Sequence, residues 1–314
     1  MVELGYALSC EEHPPEDLVR YASRAEEIGL DHTLISDHFH PWIGEQGNAP
    51  LVWNVLGAIA RETDSIRVGT GVTCPIQRYH PAIVAQAGAT ARAQFGERFF
   101  LGVGTGENLN EHVTGEGWPA FDVRIEKLEE AVEIIRALFT GEQITHRGTH
   151  FTVENAKLFT APDDPAPIYV AGGGEAAASA AGAFGDGYIN TAPKSELVEE
   201  YDGDGPTYGQ VAVCYADSDR EAREIAHEHW PIIGIEGELN SQLATVKHFE
   251  QAAQMVTEDD VAESMTCTSD ADELIEGIQQ YVDAGFDHVY VHQVGPDQGR
   301  FFDVYESDVL PSFS

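Results

Sequence analysis

The stretch "HTLISDHFHPW", residues 32–42, decides how the chain is read. Its first part is β-branched and apolar, the mark of a buried strand. Its second part sets Ser36, Asp37 and His38 at the strand's end, followed by His40, Pro41 and Trp42. Two histidines two residues apart allow three readings: a metal site, a proton-handling site, or a turn that happens to be rich in His. The choice depends on where the strand ends in the fold.

Working outward, strand and helix patterns alternate along the chain. Strands are expected at 4–9, 32–39, 66–73, 98–106, 167–173, 187–192, 207–216 and 288–294. Between them lie helical patterns, including 51–63, 80–95 and 123–139, with Gly29 and Gly96 as stops. Such apolar strands suit a parallel sheet covered on both faces. The fold class is therefore α/β, and unit count and length favour a closed (β/α)8 TIM barrel over a doubly wound open sheet. One domain spanning 1–314 is expected, with a hairpin inserted near 144–159 and a helical insertion near 217–265.

In a (β/α)8 barrel the chemistry sits at the C-terminal strand ends. That places Ser36–His38, Gly71–Cys74, Thr105–Glu107, Gly172–Gly174 and Asn190–Thr191 on one face.

Composition narrows the function classes. The 314 residues hold 54 Asp plus Glu against 17 Lys plus Arg, a formal net charge of −37. Nucleic acid and anionic membranes need basic patches, so neither is an expected partner. The acids are spread among apolar residues rather than run in blocks, so they belong to a folded surface. Concentrated salt, which screens over about 3 Å at 1 M, suits such a surface, as in an extreme halophile. No apolar run approaches the roughly 20 residues of a membrane span, and no signal peptide is visible, so a cytoplasmic protein is expected. The four cysteines lack CxxC spacing, which argues against structural zinc.

The metal reading of His38 and His40 needs further ligands. The strand ends "VAGGG" and "INTAPK" offer no His, so a zinc site would be incomplete. His40 reads as a turn residue before Pro41. His38, beside a carboxylate at a strand end, suits a general base. Glu107 is a second titratable group on that face, and the two could instead be a plain ion pair. Trp42 offers a stacking surface or is a core residue. The glycines 172–174 before a helix start can hold a phosphate or simply make a tight turn.

Six motifs then occur in order: "SDHFHPW", "GTGVTCP", "RYHPAIVAQA", "FLGVGTGENLNEH", "YVAGGG" and "GDGYINTAPK". Together they resemble the deazaflavin-dependent glucose-6-phosphate dehydrogenase group of the bacterial-luciferase-like superfamily. The likeness runs from Leu4 to about Thr191 and resumes weakly near "DQGRFFDVYESDVLP". It implies a barrel, a homodimer, and coenzyme F420 as cofactor. It implies catalytic roles for His38 (proton transfer at the substrate hydroxyl), Glu107 (acid–base partner near the cofactor ring) and Trp42. Asp37, Thr105, Gly106, Asn110, Gly173 and Gly174 would hold the cofactor. A non-proline cis bond at Gly71–Val72 would support its ring, with Cys74 at the next contact.

In that group Thr191 and Lys194 would bind a sugar phosphate, and Lys194 is one of only four lysines kept. Two further phosphate-binding cations fall at Asn240 and Ser264, which are neutral. The expected activity is hydride transfer from a sugar phosphate or an alcohol to F420. The alternatives are an FMN-dependent luciferase-like monooxygenase and a non-catalytic deazaflavin-binding protein.

Overall fold

A computed structural model describes residues 2–235 and 237–313. Its strands, in chain order, are β1 (Glu3–Leu8), β2 (His32–Ile35), β3 (Arg67–Thr70), β4 (Phe99–Val103), β5 (Ile144–Arg147) and β6 (Thr152–Ala156). They continue with β7 (Ile168–Ala171), β8 (Gly187–Asn190), β9 (Thr207–Tyr215), β10 (Thr266–Thr268) and β11 (His288–Gln293). The strands β1, β2, β3, β4, β7, β8, β9 and β11 pair in parallel in that order. β11 pairs back onto β1, so the ring closes as an eight-stranded TIM barrel and the open-sheet alternative falls.

Helices cross from strand to strand around the ring. The first, Pro15–Glu27, shows why the sequence folds this way. Pro15 occupies the first helical position, where a missing N–H costs nothing, and Glu16 and Asp17 face the positive end of the dipole. Leu18, Tyr21, Ala22 and Ala25 form its buried stripe. Leu18 is fully buried, so Leu18→Ala would cost about 2–5 kcal/mol.

Inside the barrel, Leu34, Phe100, Tyr169, Ile189, Tyr208 and Tyr290 form a packed plug with Ala7. Phe100 fits because Gly69 faces it: a Cβ there would stand 2.0 Å from the Phe100 ring. His32 joins the plug edge-on to Tyr208, and Tyr208 stacks on His288 with centroids 4.2 Å apart.

Two features differ from the sequence reading. The expected strands 32–39, 66–73, 98–106 and 167–173 leave the ladder early, at Ile35, Thr70, Val103 and Ala171. Their apolar or glycine-rich continuation peels off the sheet and becomes the rim. The insertion between β9 and β11 is helical over Asp219–His229, Val246–Ala253 and Glu258–Ser264. It returns through β10, an unforeseen strand that pairs in parallel with the far end of β9, Cys267 opposite Cys214. A separate apolar cluster, with Trp230, Ile232, Phe249 and Met265, seats the insertion over the rim. β5 and β6 form the expected hairpin, pairing Arg147 with Thr152.

Candidate active site

The rim encloses a cavity of about 760 Å³ at the C-terminal ends of the strands. One side is built from the β1 and β2 ends. Glu11, 2% exposed, sits 3.1 Å from His38 Nδ1. Ser36 Oγ and Ser9 Oγ donate to Glu11 Oε2 at 2.6 and 3.1 Å, which fixes the carboxylate. A carboxylate facing Nδ1 favours the proton on that nitrogen and leaves the lone pair on Nε2. The Trp42 ring meets His38 edge-on at 4.9 Å and is backed by Phe249 at 5.1 Å.

A second pair stands beside the first. Glu12 Oε2 lies 2.6 Å from His292 Nε2, and Gly295 N–H donates to Glu12 Oε1 at 2.9 Å. Burial acts to raise the Glu12 pKa, but His292 and the Gly295 bond outweigh it and hold the carboxyl below its usual range. His292 lines the cavity next to Trp230, whose ring meets it at 4.4 Å.

The opposite side is built from the β2, β3 and β4 ends. Asp37 is buried and accepts from Thr73 Oγ1 at 2.7 Å and Arg78 at 3.1 Å. Arg78 also donates to the Asp37 carbonyl at 2.8 Å and, through Nε, to Glu111 at 3.4 Å. Its backbone N–H donates to Glu111 Oε2 at 2.8 Å. Glu111 is 1% exposed, and burial pushes its pKa up to about 7 against the pull of Arg78. Burial likewise raises the Cys74 thiol. The Gly71–Val72 peptide is cis.

Most residues singled out from sequence come together here. His38, Trp42, Glu107, Asp37, Gly71, Val72, Cys74, Thr105, Gly106, Gly173 and Thr191 all line the cavity, as do Asn240 and Ser264. Asn110, Gly174 and Lys194 stand outside its wall. Asn110 instead joins two loops: its Oδ1 accepts from the Phe39 and His40 N–H groups at 2.9 and 3.1 Å. His40 Nδ1 donates to the Leu109 carbonyl at 3.0 Å, away from His38. No group of three or more His, Cys, Asp or Glu is placed to hold a metal among the described residues.

Glu11, Glu12, His292, Arg78, Glu111 and Trp230 were not singled out from sequence. The strand-end rule, applied to strands two to six, would have found Glu11 and Glu12 if extended to the first.

A planar cofactor fits this cavity. Bare backbone at Gly71, Gly104, Gly106, Gly172 and Gly173 faces it. A Cβ on Gly173 would meet nothing within 4 Å, so that glycine leaves usable space. Gly174 precedes the helix Glu175–Phe184, whose free N–H groups suit an anion.

Comparison with known proteins agrees with this geometry. Residues 2–288 match the model of the luciferase-like monooxygenase family. An F420-dependent glucose-6-phosphate dehydrogenase of Amycolatopsis mediterranei is 36% identical, over 99% of this chain and 98% of the relative. Its counterpart in Segniliparus rotundus is 37% identical, over 99% and 97%. The structure of an F420-dependent secondary alcohol dehydrogenase in complex with an F420–acetone adduct superposes with a TM-score of 0.91 at 31% identity, covering 100% of this chain and 99% of that one. The chain therefore belongs to the luciferase-like monooxygenase family and is a homologue of F420-dependent dehydrogenases.

Proposed function

We propose that this protein is an F420-dependent dehydrogenase whose preferred substrate is a small uncharged secondary alcohol rather than a sugar phosphate. One observation carries the substrate choice. Glu11, Asp37, Glu107 and Glu111 line the cavity, and among the described residues no lysine or arginine does. A phosphate dianion would meet like charge there without a partner. The insertion supplies Trp230, Ile232, Ile233, Asn240 and Ser264, an apolar wall with two neutral polar groups.

When bound, F420 supplies the hydride acceptor in its deazaflavin ring. The backbone at Gly71–Val72, Thr105–Gly106 and Gly173–Gly174 would hold it. His38 Nε2 takes the hydroxyl proton as the carbinol carbon gives up its hydride, and Glu11 steadies the imidazolium that forms. Trp42 fixes the imidazole edge and narrows the slot for the substrate. Glu107 provides acid–base capacity on the cofactor side.

The test is the fall in oxidised F420 absorbance with 2-propanol and with glucose 6-phosphate, in molar salt. A kcat/KM for the alcohol at least tenfold above that for the sugar phosphate supports the reading. The reverse order ends it. A second reading keeps glucose 6-phosphate: Thr191 lines the cavity, and Lys194, three residues on, is exposed and has no acidic partner among the described residues. Lys194→Ala would then abolish turnover of the sugar phosphate alone.

We further propose a homodimer suited to concentrated salt. The acid excess supports the salt preference. Leu51 and Ile83, exposed at the starts of the adjacent helices Val52–Glu62 and Pro81–Phe95, support the pairing. Light scattering across a salt series checks both.

A further inference from the structure

Oxidising an alcohol to a carbonyl releases one proton and one hydride. His38 accounts for the proton. The hydride takes its electron pair, and one negative charge, to the cofactor end of the cavity. The cavity wall at the β2 and β4 ends already holds carboxylates, Asp37, Glu107 and Glu111. One guanidinium, Arg78, touches two of them, Asp37 at 3.1 Å and Glu111 at 3.4 Å. Asp37 has the better share of it, with a second donor in Thr73 and the Arg78 contact to its own carbonyl. Glu111 is thus a buried carboxyl whose donors all come from Arg78, through its backbone N–H at 2.8 Å and a guanidinium shared with Asp37.

Glu111 lies one helical turn after Glu107, its backbone N–H donating to the Glu107 backbone carbonyl at 3.1 Å, and both side chains line the same cavity. Gly106 leaves room for Glu111 beside Cys74. Its φ is +69°, and a Cβ there would lie 2.6 Å from Cys74 Sγ and 3.0 Å from Glu111 Cγ.

We propose that Glu111 is a second proton-carrying residue of the reaction, paired with Glu107 as carboxylic acid and carboxylate at the cofactor end of the cavity. The inference rests on the dehydrogenase reading above. The Glu111 acid passes its proton to the Glu107 carboxylate, Glu107 hands it on to the charge that arrives with the hydride, and water re-protonates Glu111. The groups facing Glu111 are Arg78, Tyr79 and Cys74 from the β3 side, Asp37 from the β2 side and Glu107 on its own segment. Only Arg78 opposes the proton. The carboxyl titrates at about 7, within the working range of an acid–base group.

The experiment compares wild type with Glu111→Gln and Glu107→Gln. First, the infrared C=O band of a protonated carboxyl is followed with pH in the cofactor-free protein. Wild type and Glu107→Gln should show a band that bleaches through about pH 7. Glu111→Gln should lack it. Second, kcat for the alcohol should fall in wild type as pH rises through that value. In Glu111→Gln kcat should be about tenfold or more lower at pH 6 and flat through 7. Glu111→Asp, which keeps the acid, should restore the pH-dependent limb. A band that survives in Glu111→Gln overturns the proposal, as does an unchanged pH profile. If no alcohol is turned over, the dehydrogenase reading fails by itself, and the infrared titration still reports on Glu111.

Discussion

Glu11 Oε1 lies 3.1 Å from His38 Nδ1, and neither residue's neighbour in sequence could replace it. Glu12 is committed to His292, and Asp37 to Thr73 and Arg78. Glu11→Gln keeps the shape but lets Nδ1 lose its proton preference. We expect kcat to drop about tenfold to a hundredfold with KM little changed, and His38→Ala to cost roughly 10²–10⁴-fold. Steady-state kinetics with a saturating alcohol measure both. Full activity in Glu11→Gln would remove the dyad from the mechanism.

Putting cations back should move the substrate preference. Asn240 and Ser264 both face the cavity. A charge-assisted hydrogen bond contributes about 1.5–3 kcal/mol, and each 1.4 kcal/mol is tenfold. Asn240→Lys with Ser264→Arg should therefore raise kcat/KM for glucose 6-phosphate about tenfold to a hundredfold. Competition between the two substrates gives the ratio directly.

Gly173 separates cofactor binding from folding. Nothing lies within 4 Å of a Cβ built there, so Gly173→Val should leave the melting temperature nearly unchanged. F420 affinity, read by fluorescence titration, should fall at least tenfold. Equal affinity would move the ring elsewhere in the cavity.

The closed end of the barrel predicts acid lability. Burial holds His32 well below its usual pKa, with His288 adding to the shift. Burial, then Arg67, lowers His288 to about 4, although Glu3 sits 3.0 Å from its Nε2. Both folded-state values lie below the unfolded value, so the fold holds these rings neutral. Their contribution is full above about pH 6.5 and is lost as pH falls toward 4, by about 3 kcal/mol for His288. Melting temperatures between pH 7 and 4 should show this loss. His288→Phe, which keeps the stack on Tyr208, should flatten the curve.

Salt should stabilise the protein. With a net charge of −37, screening relieves self-repulsion over the whole surface. We expect the melting temperature to climb steadily from 0.1 M toward molar KCl. A flat response would leave the acid excess without a physical role.

The barrel was legible because each strand is short, apolar and followed by a helix with its own start and stop. That His38, Glu107 and the rim glycines would face one cavity was legible because they end strands or sit in recognisable motifs. Glu11 was not, since one more acid among 54 carries no contrast in composition. Arg78 was hidden for another reason: its partners, Asp37 and Glu111, lie 41 and 33 residues away in sequence, on other loops. β10 is three residues long and pairs only with the end of β9, too short to leave a period.

That small strand has a practical meaning. The excursion that forms the substrate-side wall leaves the tip of β9 and comes back alongside the same tip, while the ring closes through β11 without it. The barrel's architecture and the part of the cavity wall formed by the insertion are thus carried by separable pieces of chain. Swapping residues 217–268 between relatives should retune selectivity while the deazaflavin berth stays intact.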